Sequence, residues 1–468
     1  MYHRRRPAFL RFATAPARHR QCRWPVLFCL VALAAGGGPQ HALGAPAHLM
    51  RIGYLAQVHN LHTRPPTDPG AVEVGAYDGL LGAREGAQEM DYTAHLVGGR
   101  VELVEAPAQT PAEALREAEM LVGRGVFALA GGFDTATALA LSQFGAQHRT
   151  LFFNVGATND RLRNEDCSRY TFHIEASDAM YLDATADWFI RGLAFLVDED
   201  APSGVQVVQR RPARRWLAVT EDAPAWQARR GRLQIALQQR HWGGRIVGDV
   251  SPKSGEDFEG ALRAVSGARP DLVFLLLPAA RQATFYAQFE RAHLPFEVTG
   301  FPEPAAQTRG FFSALLAGAP RTSHGSVRIV SYEPTFAAIG GPQLAQRFIE
   351  RWKQPLDGPA WTGWLAVKIL WETFVRAQTT DASRLVQYLE SPGAEFEGYQ
   401  GVGMTFRPWD HQLRHPIMAS RLTATSDDKL RLAEMVGQFP NVLAPGRPAS
   451  DVLDQLGDTA QTSRCRWR

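Results

Sequence analysis

Two histidines, two arginines, an aspartate and a tryptophan crowd into "FRPWDHQLRHPIMA", Phe406 to Ala419. Residues of these types could hold a metal or move a proton. His411 and His415 have no third ligand in view at strand spacing, however, and the flanking runs "GMTF" and "PIMASR" are short and apolar. The stretch therefore reads as a turn between two strands, with Trp409 packed beneath it and Arg407 or Arg414 paired with Asp410. Its role on this reading is structural.

Nothing elsewhere supplies a catalytic signature. The chain has no G-x-S-x-G, no phosphate-binding G-x-x-x-x-G-K-[ST], no H-E-x-x-H and no C-x-x-C. Gly75, Gly79, Gly82 and Gly86 do not follow a strand at dinucleotide-binding spacing, and no nucleophile stands beside a base. The residues point to binding, not to an enzyme, and to no cofactor or metal.

In open α/β sheets a ligand sits beyond the carboxyl ends of the strands. Four loops have the chemistry for it. "GGFDTATAL" places Thr135 and several backbone N–H groups at a helix start, a natural cradle for a carboxylate. "NVGATNDRL" offers Asn154, Thr158 and open backbone at Gly156 and Ala157. "EASDAM" sets Ser177 and Asp178 at the next helix start, and "EDAPAW" sets Trp226 at the mouth of a later strand. Each also has an ordinary reading as a cap or a packing residue. Trp361 and Trp364, three apart on one helix, offer further flat faces or simply core.

Alternating strands and helices must position these loops. Strands are expected at 50–56, 100–107, 126–132 and 150–156, with helices at 79–91, 110–125 and 134–147 between them. The helix after Thr110-Pro111 carries its own start signal. The pattern restarts with strands at 214–222, 244–252, 271–279 and 296–301, separated by helices at 225–243, 257–270 and 281–294. Two further helices, 340–354 and 359–378, precede a hairpin at 401–422, and the polar tail from Thr423 wraps the surface. The fold class is α/β: two lobes, each a mostly parallel sheet flanked by helices.

The ends set the compartment. Arg4, Arg5, Arg6, Arg11, Arg18, Arg20 and Arg23 precede an apolar run, and "ALGAPA" supplies small residues for cleavage, so 1–47 reads as a secretory signal. Cys29 lacks the context of a lipid-modified site. Removing the seven arginines lowers the 50 basic residues to 43 against 47 acidic ones, a net charge of −4. That balance excludes a nucleic-acid partner. Of the four cysteines, Cys22 and Cys29 leave with the signal, and Cys167 and Cys465 are expected to form a disulfide in an oxidising compartment outside the cytoplasm. About 420 residues remain, enough for two cores.

The ordered segments "ALAGGFDTATAL", "NVGATNDRL" and "YTFHIEASDAM" resemble the type I periplasmic solute-binding proteins of ABC transporters, the branched-chain amino acid class. "FNVGATNDRLRNEDC", "FRPWDHQLRHPI" and "LDQLGDTAQTSRC" are similar to the subfamily associated with dehydrogenases of alcohols that depend on pyrroloquinoline quinone (PQQ). The resemblance implies a two-lobed fold with three hinge crossings: lobe one 48–174 plus 331–400, lobe two 175–330 plus 401–425, and a tail 426–468. It implies a monomer that closes on a small polar ligand, with PQQ or a metabolite of alcohol oxidation as the ligand. Its partners would be transporter membrane components or the dehydrogenase itself. An amino acid or amide binder, or an accessory or sensor protein of the dehydrogenase, are the alternatives. "FPEP" aligns with a segment whose glutamate holds an amino group, which implicates Glu303. The departures are a hydroxyl cradle reduced to Thr135 and Thr137, and Trp226 in place of a tyrosine.

Overall fold

The computed structural model describes residues 48–57, 60–62, 73–76, 79–197, 205–241, 243–252, 257–336, 340–423, 429–440 and 447–467. The signal expected at 1–47 lies outside the described residues.

The first lobe is built on a five-stranded parallel sheet. Its order is Gly99–Pro107, His48–Ala56, Ala128–Gly131, Leu151–Asn154 and Thr171–His173. The two central strands Ala128–Gly131 and Leu151–Asn154 are buried at every position, as helices on both faces require. Thr110 and Glu113 close a capping box at the start of helix Pro111–Gly123, which worth about 1 kcal/mol fixes where that helix begins. Helices Gly341–Trp352, Gly358–Ala377 and Ala382–Leu389 return late in the chain to pack on this same core. Trp361 and Trp364 are fully buried there. Their indole N–H groups donate to the Gly398 carbonyl and the Glu89 carboxylate, each at 2.9 Å, so both belong to the core.

The second lobe repeats the design. Strands Arg245–Val250, Arg215–Thr220, Leu272–Leu276 and Glu297–Gly300 form a parallel sheet in that order. Beside it lies a three-stranded antiparallel sheet, Val327–Val330, Ile417–Leu422 and Ala433–Phe439.

Two expectations are corrected here. The hairpin expected at 401–422 is reduced to its turn, where Phe406 and Leu413 form one antiparallel bridge and Arg414 N–H donates to the Thr405 carbonyl at 2.8 Å. Gly403–Met404 pairs with Phe396–Glu397, whereas Ile417–Leu422 pairs with Val327–Val330 and Ala433–Phe439. The apolar halves were recognisable as strands, but the first pairs with a segment just before it and the second with Val327–Val330, far away in sequence, and with Ala433–Phe439. The polar tail also contributes a strand, Ala433–Phe439, which completes the antiparallel sheet and does not merely wrap the surface.

Core membership changes at three places: between Ile174 and Ala176, between Val330 and Tyr332, and between Leu413 and Ile417. Met404, Phe406 and Leu413 pack in the first core, although 401–425 was expected in the second lobe. The stretch Phe406–Ala419 is thus a crossing between lobes. Gln412 forms a parallel bridge with His173 at the edge of the first sheet, and its side chain donates to the Glu175 carbonyl at 3.0 Å. His411 stacks on Phe172 with ring centroids 4.1 Å apart, and burial pulls its pKa down despite the Glu390 carboxylate at 3.1 Å. Burial likewise lowers His415 to about 4. Arg407 and Arg414 both lie over Trp409 and both pair with Asp454, at 3.2 and 2.7 Å, while Asp410 stands 3.9 Å from Arg407. Among the described residues no group of three metal-binding side chains converges, here or elsewhere.

Candidate functional site

The loops picked out by sequence come together where the lobes meet, but several of their polar groups already have partners. Asn154 is fully buried and holds its own loop. Its Oδ1 accepts from the N–H of Gly156 at 3.3 Å and Ala157 at 2.9 Å, while Nδ2 donates to the Ala157 carbonyl at 2.8 Å. Gly156 is covered as well, since a Cβ there would stand 2.4 Å from the Phe133 ring. The open backbone expected at this turn is therefore closed.

The helix start at Thr135 is closed in the same way. Asp134 is the N-cap residue and accepts from Thr137 N–H at 2.9 Å. Gln57, at the end of strand His48–Ala56, accepts from Phe133 N–H at 2.7 Å and donates to the Asp134 carboxylate and to Thr137. Burial would raise the pKa of Asp134, yet the hydrogen bonds from Gln57 and Thr137 bring it below the ordinary carboxylate range. A side-chain carboxylate and a side-chain amide thus occupy the cradle predicted for a ligand carboxylate. Nothing in sequence spacing marked Gln57.

Ser177 caps helix Asp178–Ala186 by accepting from Met180 N–H at 3.1 Å. Glu303 accepts from Ala279 N–H at the start of helix Ala279–Arg291. Its burial raises its pKa, against the lowering influence of that N–H and of Arg229. An amino-group acceptor expected at Glu303 is accordingly engaged in capping.

Arg229, which the sequence reading did not single out, organises the remaining candidates. It sits on helix Pro224–Ile235 with its guanidinium 4.3 Å from the Trp226 ring and 4.5 Å from the Phe301 ring. Nε donates to Asp178 Oδ1 at 3.0 Å and Nη2 to Thr158 Oγ1 at 3.2 Å. Thr158 donates in turn to Asp178 at 2.7 Å. Two aromatic faces, a carboxylate and a hydroxyl surround one buried cation. Trp226 and Arg229 are three apart on one helix face, and that spacing was the available signal.

Beside Arg229 opens a cavity of ≈ 540 Å³ between loop 159–166 and helix Pro224–Ile235. Thr135 and Asp178 line it; Asn154, Gly156, Thr158, Ser177, Trp226 and Glu303 do not. Four arginines reach its wall: Arg161, Arg229, Arg232 and Arg464. Asp160, enclosed there, has its pKa raised to about 7 by burial and by the nearby Asp178 charge, with Arg232 opposing.

A family profile described as "Periplasmic binding protein" matches residues 72–428. The chain belongs to that family. Periplasmic binding proteins are a solute-binding class. A periplasmic binding protein from Burkholderia mallei superposes with a TM-score of 0.65 at 19% identity, covering 90% of this chain and 99% of that one. The leucine-, isoleucine-, valine-, threonine- and alanine-binding protein of Brucella ovis, in its closed conformation, gives 0.67 at 14% identity, covering 90% and 100%. A solute-binding protein of an ABC transporter from Rhodopseudomonas palustris, in complex with 3,4-dihydroxybenzoic acid, gives 0.60 at 17%, covering 86% and 99%. No curated protein matches in sequence. The two-lobed fold is thus shared at low identity, and the pair of parallel sheets follows the family pattern. No described helix is long and apolar enough to cross a membrane. Cys167 and Cys465, 298 residues apart in sequence, form the expected disulfide.

Proposed function

We propose that this periplasmic binding protein is the substrate-binding component of an ABC transporter and takes a small planar carboxylate between its lobes. One observation carries the reading: four arginines line a cavity of ≈ 540 Å³, each held by a carboxylate of the protein (Asp166, Asp178, Asp458 and Glu165) whose place a ligand carboxylate would share, and Arg229 lies against both the Trp226 and Phe301 rings. Guanidinium groups pair with carboxylates in a plane and present a flat face of their own to a ring, while Trp226 supports Arg229 from outside the cavity. PQQ, with three carboxylates on a fused ring, has that chemistry, and so do simpler aromatic acids such as the one bound by the Rhodopseudomonas palustris protein. Thr135 and Asp178 on the cavity wall, with Thr158 and Trp226 behind Arg229, are the residues proposed to shape the site. An α-amino acid is the weaker fit, because Asp134 and Gln57 fill the helix start and Glu303 caps a helix. The proposed setting is the periplasm, after removal of residues 1–47, with the protein acting as a monomer.

A second reading is favoured by the same filled cradle: an accessory protein of the PQQ-dependent dehydrogenase that binds no small molecule. Calorimetric titration with PQQ, benzoate, 3,4-dihydroxybenzoate and leucine separates the two. Heat with a carboxylate, weakened by roughly 1–3 kcal/mol in Trp226→Ala, supports the transporter reading. No heat with any of them at micromolar protein removes it.

A further inference from the structure

We propose that the C-terminal segment 447–467 is a strap that holds the two lobes together along one wall of the cavity. This inference does not depend on which ligand the cavity takes.

The strap is anchored on the first lobe at its far end. Cys465 is bonded to Cys167, which follows the loop that lines the cavity. Next to it, Arg464 donates its backbone N–H to Asn164 Oδ1 at 2.8 Å and pairs with Glu165 at 2.8 Å. The near end is held at the third crossing. Arg407 donates to the carbonyls of Leu453 at 3.1 Å and Leu456 at 2.7 Å, and Arg414 pairs with Asp454 at 2.7 Å.

Between these anchors the strap lies on the second lobe. Gly457 N–H donates to Asp183 Oδ2 at 2.7 Å on helix Asp178–Ala186, and Arg240 donates to the Gln455 carbonyl. Gly457 has a φ of +71°, and a Cβ there would stand 2.8 Å from Met180 Cγ, so the close approach needs glycine. Leu456 is part of the second-lobe core.

Asp458 is the point where the lobes are joined. One carboxylate oxygen accepts from Asn164 Nδ2 at 3.0 Å on the first lobe, and the other accepts from Arg232 on the second-lobe helix Pro224–Ile235. Arg232 also faces Asp160 of the first lobe at 3.8 Å. Hinge opening would draw Asn164 away from Arg232, and one carboxylate cannot follow both. The arginine wall of the cavity ends on the strap itself, at Arg464. The lobe arrangement of this structure thus has a restraint that is part of the chain, in addition to any that a ligand would supply.

The test uses the full secreted chain with no ligand added. Asp458→Ala, with the disulfide intact, is compared with wild type by hydrogen–deuterium exchange and small-angle X-ray scattering. A second variant, Cys167→Ser with Cys465→Ser, releases the far anchor. Near-ultraviolet circular dichroism confirms that each variant retains packed cores. The strap is expected to show as about tenfold faster exchange in 159–166 and 224–235, with a larger radius of gyration. Opening in either folded variant supports the restraint. Wild-type exchange and wild-type dimensions in both variants overturn it. Because no carboxylate is present, this failure is distinct from failure of the proposed ligand class.

Discussion

Arg229 on a second-lobe helix donates to the hydroxyl of Thr158 on a first-lobe loop at 3.2 Å. The bond is short-ranged in space and long-ranged in sequence, and it ties the guanidinium to both sides of the cleft. The same guanidinium pairs with Asp178 and lies against the Trp226 and Phe301 rings.

Arg229→Ala should be strongly destabilising. It strips a buried carboxylate of its counter-ion, a change that typically costs about 3–5 kcal/mol. Arg229→Met with Asp178→Asn should recover much of that loss, because neither charge is then left alone. Urea unfolding of the three variants provides the comparison. Equal stability for Arg229→Ala and wild type would remove the guanidinium from the interlobe contact.

Glu175 gives a prediction about pH. It is fully buried beside the first crossing, and burial raises its pKa to about 7 although Tyr181 and the Ala176 N–H donate to it. The folded value lies above the ordinary 4.5. The folded state therefore holds the proton more tightly than the unfolded chain. That contribution is fully present below pH 4.5 and is lost as pH rises through 7. Glu175→Gln stays neutral and should gain on wild type over this window, by about 3 kcal/mol at pH 8. Guanidinium unfolding at pH 4.5, 6 and 8 checks the sign. A stability difference that does not change with pH would contradict it.

Asn154→Ala should loosen the turn that carries Thr158. It removes an acceptor for two backbone N–H groups and a donor to the Ala157 carbonyl, all buried. A buried group left unsatisfied costs about 1–3 kcal/mol. The melting temperature should fall, and exchange should quicken at Gly156 and Ala157 while the far strands of the sheet stay protected. Unchanged protection at those two amides would refute the role given to Asn154.

The disulfide predicts a thiol count. Labelling of unfolded, unreduced protein lacking residues 1–47 should find no free thiol, and reduction should expose two. Cys465→Ser should cost up to about 5–6 kcal/mol in the chain-entropy account of so long a loop. A labelled Cys167 in unreduced wild type would exclude the bond.

Most of the scaffold was legible because its signals are local. Buried parallel strands such as "LVFLL" are continuous apolar runs, and Thr110-Pro111 or Asp134 announce the helices they cap. The antiparallel sheet was less legible, since "PIMASR" shows that a strand exists and says nothing about its partners. Ala433–Phe439 was hidden in a polar tail for the same reason. The chosen loops do meet near the interface, yet Asn154, Ser177 and Glu303 turn inward as caps and braces. Arg229 was obscured by the abundance of arginine, and Gln57 by being a lone amide at a strand end. Which side chain fills a cradle depends on packing between segments that sequence spacing does not bring together.

The bond between Cys167 and Cys465 makes a covalent ring of everything between them, including the entire second lobe and the helices that return to the first. Only the opening part of the first lobe lies on the open path from one end of the chain to the other. A pull applied to the two ends would run along that part, cross the sulfur–sulfur bond and leave at the carboxyl terminus. The second lobe would bear none of the load. Mechanically, the protein is a short tether with a large closed loop hanging from it.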